Sequence, residues 1–326
     1  MTREARKIAR VCSAVVALLA GGAACSGDDS SSEDGDTARR DAGSEPKQTV
    51  VESYRVAIEV PDVAPGEEGT KCVQVRLGNA EPVHIGRVHN QLHGQSHHFV
   101  VSQVTEPTAR EESLFDCPPF RSPLTGAPLT VTQKHDEEIV LPKGVGYALG
   151  ADQLMHLELH YINTSEQTAD VRAESELIAL DPAAAIEEAG FVIGGSMDIE
   201  IPPHATHSTG DVYLALPSEL DGVHYYAATG HTHQFGTNVR LSIAESETAE
   251  GKTIYDLDNF DWSAAEVRYF DPPLQAPAGG GFRINCSWNN TSSETVRYGE
   301  SALSEMCFFW AYYYPKLPVQ QTLIHY

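Results

Sequence analysis

The chain has 326 residues, 41% of them hydrophobic, and its formal net charge is −24. This length and apolar content suffice for two modest domains with buried cores. So strong an acidic excess is repelled by phosphates, and this excludes nucleic acids and anionic membrane surfaces as partners.

The first 47 residues have the pattern of export and tethering segments. The basic stretch MTREARKIAR precedes an apolar run, residues 11–20, that is short for a membrane span and typical of a secretory signal. Small residues precede Cys25 and an acidic, serine-rich run follows it, as at a bacterial lipoprotein cysteine. We predict a signal peptide over 1–24, a disordered lipoprotein-like tether over 25–47, and lipidation of Cys25. Gly22 stands where such signals usually carry leucine, so simple cleavage and secretion is the alternative; either way the protein is exported.

From about residue 50 onward, short alternating runs are separated by Pro and Gly clusters. Examples are SYRVAIEV, HFVVSQV, LMHLELHYI and FRINCSW. Alternation with period two over such lengths is typical of half-buried β-strands. We therefore predict an all-β protein with two domains, over residues 48–183 and 184–326, and with DPAAAIEEAG at their junction. No convincing sequence repeat relates the two domains.

Four of the six cysteines lie in the predicted domains, two in each: Cys72, Cys117, Cys286 and Cys307. An oxidising compartment favours disulfides between them. Three pairings are possible, and the local pairs would cross-link each domain separately. No cysteine would then remain free to bind a metal ion.

Two groups of histidines each share one face of a predicted strand. In GHTHQFG, His231 and His233 are two residues apart, so both imidazoles can bind one metal ion. An isolated pair of this kind is more often a polar face in water. In LMHLELHYIN, His156, Glu158 and His160 alternate with leucines, and their face points either to solvent or into a cleft between the domains.

The third group is the adjacent pair His97 and His98 in GQSHHFVV. Neighbouring side chains of a regular strand point to opposite faces. Both histidines can therefore reach one partner only if the strand is twisted or bulged, a distortion often found beside active sites. In a regular strand, one histidine would bind and the other would pack.

Met306 precedes a run of aromatic residues in SEMCFFWAYYYP. A methionine in this setting is normally core filler. As a ligand, its thioether suits copper, above all Cu(I), and is poor for zinc, calcium or magnesium. Two imidazoles with Met306 would therefore indicate copper, whereas the clustered Asp/Asn loop of a calcium site is not found.

Seven strings in order give the chain a family resemblance: VPDVAPGEEGTKC, SHHFVV, LPKGVGYALG, LELHYIN, AGFVIGGSMDIEIPP, GHTHQFG and GESALSEMC. On these motifs it resembles the copper type II ascorbate-dependent monooxygenases, the family of peptidylglycine α-hydroxylating monooxygenase and dopamine β-monooxygenase. The implied fold is two tandem jelly-roll-like antiparallel β-sandwich domains, each with one copper, facing each other across a solvent-filled cleft.

The resemblance also implies residue roles. The ligands of an electron-transfer copper would be His97, His98 and His160, so the strand should be irregular at the adjacent pair. The catalytic ligands of a second, oxygen-activating copper would be His231, His233 and Met306. The implied disulfides are Cys72 with Cys117 and Cys286 with Cys307.

The implied activity is hydroxylation of a C–H bond of a small molecule, with O2 and ascorbate or another external electron donor. We expect a monomer that meets the membrane only through its N-terminal lipid anchor. Thr229 stands where the peptide-hydroxylating enzyme has an arginine that binds the substrate carboxylate, and Phe308 and Trp310 replace polar substrate contacts. We therefore predict an apolar or aromatic substrate, although both aromatic residues could equally be core. Glu158 replaces a glutamine near the histidine copper, and its charge could alter the potential of that site.

Two other functions are consistent with the sequence. A non-catalytic copper-binding lipoprotein, for storage or delivery, would keep the same six ligands but need no substrate pocket. An adhesive or structural β-sandwich with incidental histidines would need none of them.

Overall fold

The regular structure of the chain, seen in a computed structural model, consists almost entirely of β-strands. Residues 50–104, 113–120, 125–185, 187–318 and 321–325 are described, and all belong to one compact unit that begins at Lys47. Within these ranges the helical structure is limited to one 3-10 turn, Ser218–Leu220, and no helix has the length and hydropathy to cross a membrane. The prediction of an all-β fold is confirmed. The predicted signal peptide and tether, with Cys25, lie outside the described residues.

The described residues up to 188, here called the N-terminal half, form two sheets. Their strands are β1 (Val50–Val63), β2 (Glu68–Arg76), β3 (Val83–His93), β4 (Ser96–Val104), β5 (Phe115–Asp116), β6 (Thr125–Thr132), β7 (Asp136–Val140), β8 (Val145–Leu149), β9 (Leu154–Ile162), β10 (Ala169–Leu180) and β11 (Glu187–Glu188). One sheet has the order β1-β10-β3-β8-β11, with β7 also paired to β3, and the other has the order β5-β2-β9-β4-β6. The short β11 pairs in parallel with β8, so the chain still contributes to this half just beyond residue 183. The domain boundary at 183/184 stays a prediction.

The described residues from 190 onward, here called the C-terminal half, form three sheets. Their strands are β12 (Gly190–Ser196), β13 (Glu200–Ile201), β14 (Thr206–Ser208), β15 (Val212–Ala215), β16 (His224–His231), β17 (Gly236–Ala244), β18 (Lys252–Tyr255), β19 (Arg268–Leu274), β20 (Gly281–Asn289), β21 (Val296–Arg297), β22 (Cys307–Tyr314) and β23 (Gln321–His325). The larger sheets have the orders β19-β16-β22-β12-β23 and β14-β20-β17-β18, with β15 also paired to β20, and β13 pairs with β21. Most pairs are antiparallel, whereas β12 and β23 run parallel.

The two halves share a packed apolar contact. The buried cluster of the N-terminal half includes four aromatic side chains of the C-terminal half: Phe191, Tyr226, Trp310 and Tyr312. The Tyr312 hydroxyl also accepts a hydrogen bond from the backbone N–H of Val131 on β6, at 3.3 Å. Strand β6 therefore lies close to β22. The candidate ligands lie on the neighbouring strands β4, β9 and β16, or just beyond the ends of β16 and β22.

Both implied disulfides are present. Cys72 on β2 is bonded to Cys117, and Cys286 on β20 is bonded to Cys307 on β22, which confirms the pairing. The paired cysteines are 45 and 21 residues apart in sequence. Cross-links over such separations each contribute about 3–4 kcal/mol by restricting the unfolded chain. The second disulfide fixes the start of β22, directly after Met306.

One loop occurs in both halves with the same hydrogen bonds, although the sequence showed no convincing repeat. Asn163 and Asn290 each begin an Asn-Thr-Ser turn, and each side-chain oxygen accepts from the backbone N–H and the hydroxyl of the serine two residues on. Each amide group donates to the carbonyl four residues on, that of Gln167 or Glu294. A repeat of so few residues is visible only once the matching contacts are known, because Asn-Ser turns are common in loops.

Candidate metal centre

The strand that carries the adjacent histidines is irregular at that point. In the pairing of β4 with β9, Ser96 lies opposite Tyr161 but His98 lies opposite His160, so one extra residue, His97, is inserted on the β4 side. A bulge of this kind lets consecutive side chains approach the same partner. The predicted irregularity at His97 and His98 is confirmed.

The bulge brings three imidazoles together. The ring centroid of His97 lies 5.4 Å from that of His98 and 5.3 Å from that of His160, and His98 and His160 are 4.7 Å apart. The His160 Nε2 atom is 3.1 Å from the carboxylate of Glu68 and therefore carries the proton, which leaves the lone pair on Nδ1. That Nδ1 is 3.1 Å from His98 Nε2. The first predicted ligand group is thus assembled.

The second predicted group lies where β16 and β22 pair. His231 is opposite Phe308 in the antiparallel register. β16 ends at His231 and β22 begins at Cys307, so His233 and Met306 lie just beyond the paired segments. The ring centroids of His231 and His233 are 5.2 Å apart. The buried Met306 follows Ser304, whose carbonyl accepts a hydrogen bond from His233 Nδ1 at 3.1 Å.

Hydrogen bonds determine which ring nitrogen carries the proton in His231 and His233. The side-chain amide of Gln133 donates to the carbonyl of Gly230, so its oxygen must face His231, and this oxygen lies 2.6 Å from His231 Nδ1. His231 and His233 therefore both carry the proton on Nδ1. The Nε2 atoms keep their lone pairs, which is the form that binds metals.

Three of the candidate ligand nitrogens are buried without partners. His97 Nε2, His98 Nδ1 and His231 Nε2 make no hydrogen bond. Burial lowers the pKa of His97 to about 3 and that of His233 to about 4, and it holds the pKa values of His98 and His231 well below the usual range. Each buried polar atom without a partner costs about 1–3 kcal/mol. Neutral imidazoles with unused lone pairs are suited to a metal ion, which would satisfy them.

The prediction of a solvent-filled cleft between the two ligand groups is wrong for this structure. The ring centroids of His98 and His231 are only 6.0 Å apart, and both side chains are 1% exposed. Phe120 stacks on His98 at 4.6 Å and lies 5.6 Å from His231. Trp262 of the C-terminal half approaches His97 at 5.2 Å. Aromatic side chains of both halves therefore occupy this contact.

A further cluster of possible ligand atoms does not form a metal site. Cys72, His156 and Glu158 have potential ligand atoms within 4.8 Å of one another. The sulfur of Cys72 is bonded to Cys117, and the thiolate that binds metals is therefore missing. Burial raises the pKa of Glu158 to about 7, and its carboxylate accepts a hydrogen bond from the backbone N–H of Phe120. The raised pKa reduces the charge that Glu158 would place beside His160 near neutral pH.

Comparison with known proteins agrees with this geometry. Residues 183–323, which include His231, His233 and Met306, match the C-terminal domain of the copper type II ascorbate-dependent monooxygenases. This part of the C-terminal half is similar to the copper monooxygenase family. The predicted family resemblance is therefore confirmed.

Two animal relatives of the copper monooxygenase family also match. DBH-like monooxygenase protein 1 of Homo sapiens is 28% identical over 193 residues, which is 54% of this chain and 31% of the relative. Dopamine beta-hydroxylase of Rattus norvegicus is 27% identical over 201 residues, which is 57% of this chain and 31% of the relative. The chain thus spans about a third of the length of these curated relatives. Among solved structures, the major capsid protein P2 of bacteriophage PM2 matches at a TM-score of 0.35 and 10% identity, over 79% of this chain and 97% of that one.

The substitutions that set this chain apart from the peptide-hydroxylating copper monooxygenase lie in packed surroundings. Thr229 is buried and lies opposite Trp310 across β16 and β22. Trp310 is fully buried in the cluster of the N-terminal half, and Phe308 is 8% exposed. Trp310 therefore serves as core in this structure, the option that the sequence left open. The case for an apolar substrate depends on Thr229 instead.

Three residues that contact the candidate ligands were not identified from the sequence of this chain. Gln133 contacts His231 and Glu68 contacts His160, while Glu305 accepts a hydrogen bond from the backbone N–H of His233. Gln133 and Glu68 lie 98 and 92 residues from their partners, a distance over which no local pattern operates. Two of the three stood within motifs of the family resemblance, and this was the available signal: Glu305 in GESALSEMC, directly before Met306, and Glu68 in VPDVAPGEEGTKC.

We predict that Gln133→Leu weakens copper binding at the His231 group. Leucine is close in size to glutamine but apolar, so it removes the oxygen that accepts from His231 Nδ1 and the amide that donates to Gly230. Loss of such an outer partner typically reduces metal affinity roughly 10–100-fold. Copper titration against a competing chelator measures the change. Gln103→Leu, on β4 and in contact with Gln153 instead, is the matched control, and equal copper affinities in the two variants would contradict the prediction.

Proposed function

We propose that this protein is a copper-dependent monooxygenase that hydroxylates a C–H bond of a small molecule with O2 and an external reductant. The observation that carries the proposal is the pair of ligand groups. Three imidazoles gather at a bulge, and two more, those of His231 and His233, lie 5.2 Å apart, with His233 bonded to the carbonyl of Ser304 two residues before Met306. The similarity of the C-terminal half to the copper monooxygenase family supports copper as the metal.

The side chains divide the chemistry between two sites. His97, His98 and His160 would hold the copper that receives electrons, and His231, His233 and Met306 would hold the copper at which oxygen is reduced. When bound, copper supplies oxygen binding and one-electron transfer. The soft thioether of Met306 favours Cu(I), whereas three imidazoles accommodate both oxidation states. Gln133 and Ser304 keep the protons of His231 and His233 on Nδ1, so that each Nε2 is available to the metal.

The reaction needs O2, two electrons and two protons. One oxygen atom enters the C–H bond to give an alcohol, and the other leaves as water. Ascorbate or another external donor would supply the electrons. We infer an apolar or aromatic substrate, because the buried Thr229 offers no positive charge to a substrate carboxylate.

One observation favours a second candidate, a non-catalytic copper-binding protein for storage or delivery. All six candidate ligands are at most 9% exposed, and the two groups lie against each other with Phe120 between them. A storage protein needs no space for a substrate. A monooxygenase would need the halves to separate, or the aromatic side chains to move, before a substrate could reach the second group.

Carbon monoxide distinguishes the two candidates, because it binds Cu(I) that has an open coordination position. We expect the fully reduced two-copper protein to bind one CO per two copper ions, seen by infrared spectroscopy. We also expect oxygen uptake with ascorbate to place one ¹⁸O atom from ¹⁸O₂ in a hydroxylated apolar substrate. Two bound copper ions without CO binding would favour the storage protein.

The proposal includes export of the protein from the cytoplasm. Two disulfides agree with an oxidising compartment, which supports export. We propose an envelope protein anchored through a lipid on Cys25, or a secreted form of it, that acts as a monomer and binds no nucleic acid. Labelling with a radioactive fatty acid, lost in Cys25→Ala, would test the anchor.

A further inference from the structure

One carboxylate of the N-terminal half contacts a candidate ligand, His160, and a loop that leads to the second ligand group. Glu68, at the start of β2, lies 3.1 Å from His160 Nε2. The same carboxylate accepts hydrogen bonds from the backbone N–H of Ala302, at 2.7 Å, and from the hydroxyl of Ser301, at 2.8 Å. Its side chain is 23% exposed, so these bonds are partly shielded from water. A side chain in β2 thus links His160 to a loop 234 residues away in sequence.

The loop reached by Glu68 leads directly to the second ligand group. The Ser301 carbonyl accepts from both the backbone N–H and the hydroxyl of Ser304. The Ser304 carbonyl in turn accepts from His233 Nδ1, and Met306 follows two residues later. A continuous path of hydrogen bonds therefore runs from His160 through Glu68 and the 301–304 turn to His233.

The bonds to Glu68 favour its charged form. Three donors converge on this carboxylate: His160 Nε2–H, the backbone N–H of Ala302 and the hydroxyl of Ser301. An ionised carboxylate that accepts from the distal nitrogen of a ligand imidazole fixes the ring orientation and makes the other nitrogen a stronger donor to metal. The same carboxylate oxygens accept the hydrogen bonds from Ser301 and Ala302, so one charged group makes both contacts.

We propose that Glu68 is a positioning residue shared by the two candidate copper sites, orienting His160 at one and anchoring the loop that carries Met306 at the other. This inference rests on the proposed copper function. Under it, the position of the N-terminal half determines the geometry of the second site. The alternative is that Glu68 forms only a contact between the halves, with no influence on either ligand group.

Two substitutions separate the two roles of Glu68. In Glu68→Gln, the amide oxygen still accepts from the loop, but the negative charge beside His160 is lost. In Glu68→Ala, both contacts are lost. Glu67→Gln is the matched control, because this neighbouring carboxylate contacts Ala64 and Tyr161 but neither the loop nor a candidate ligand.

The purified protein and its three variants are compared in two ways. Competition with a chelator and potentiometry with EPR detection give the affinity and the reduction potential of the copper at each site. Hydrogen exchange of the peptide spanning residues 299–306, in the metal-free protein, reports the anchoring of the loop independently of copper.

For Glu68→Gln, we expect roughly tenfold weaker Cu(II) binding at the three-histidine site and a higher reduction potential, with exchange of the loop unchanged. For Glu68→Ala, we expect the same loss, together with faster exchange at 299–306 and weaker copper binding at the Met306 site. Glu67→Gln should match the parent. Exchange and copper affinities in Glu68→Ala within twofold of the parent would overturn the inference while the copper function stands. A parent protein that binds no copper at the three histidines would overturn both.

Discussion

Replacing Met306 with isoleucine is expected to remove one of two bound copper ions and to abolish hydroxylation. Isoleucine is apolar and close in volume to methionine, so the packing around this buried position is largely kept. The thioether, the one soft ligand of the second group, is lost. The loss of affinity for Cu(I) should exceed the roughly 10–100-fold that removal of an outer hydrogen-bond partner costs, because a direct ligand is missing.

Metal analysis and oxygen uptake with ascorbate give the outcome for Met306→Ile. The three-histidine copper should remain, with an unchanged EPR signal. Met155→Ile is the matched control, because Met155 is fully buried in the core of the N-terminal half on β9. Hydroxylation retained in Met306→Ile would refute the oxygen role of the second site.

Replacing Glu305 with alanine is expected to destabilise the protein severely and to disrupt the same site. The Glu305 carboxylate is fully buried and accepts hydrogen bonds from the backbone N–H groups of His233, Phe235 and Met306 and from the Trp288 indole. Burial raises its pKa to about 7, while these bonds act in the opposite direction. Alanine would leave four buried donors without an acceptor, at about 1–3 kcal/mol each.

The expected loss of unfolding free energy for Glu305→Ala is therefore roughly 4 kcal/mol or more, a large share of the 5–15 kcal/mol typical of a folded domain. Glu305→Gln keeps one acceptor oxygen and should lose about half as much. Urea unfolding measures both, and the exposed Glu294→Ala serves as control. A loss below about 1 kcal/mol in Glu305→Ala would show that water replaces the carboxylate, against the burial described here.

The fold class and the gathering of the histidines could be predicted because their signals are local or carried by motifs. Alternation within runs such as LMHLELHYI is a property of a few consecutive residues, and it predicted strand β9. The adjacent pair of His97 and His98 required a bulge if both were to bind one ion, and the structure has it. The disulfides followed from the family resemblance, since spacing alone left three pairings open.

The contacts that shape the site could not be predicted, because they join residues far apart in the chain. Ser301 lies 233 residues from Glu68, and neither residue carries a pattern that points to the other. The close approach of His98 to His231 depends on how two apolar sheet faces pack, and the family resemblance suggested a cleft instead. From the sequence alone, Trp310 could be either a substrate contact or a core residue. Its burial against the N-terminal half shows that it is a core residue.

Under the proposed function, one chain holds two copper ions in two separate ligand groups. The copper content of the reconstituted protein, measured beside His231→Ala and His160→Ala, tests this most directly. We expect two copper ions per chain in the parent and one in each variant, with the three-histidine EPR signal missing only from His160→Ala. One copper ion or none in the parent, or loss of both ions from a single substitution, would contradict two independent sites.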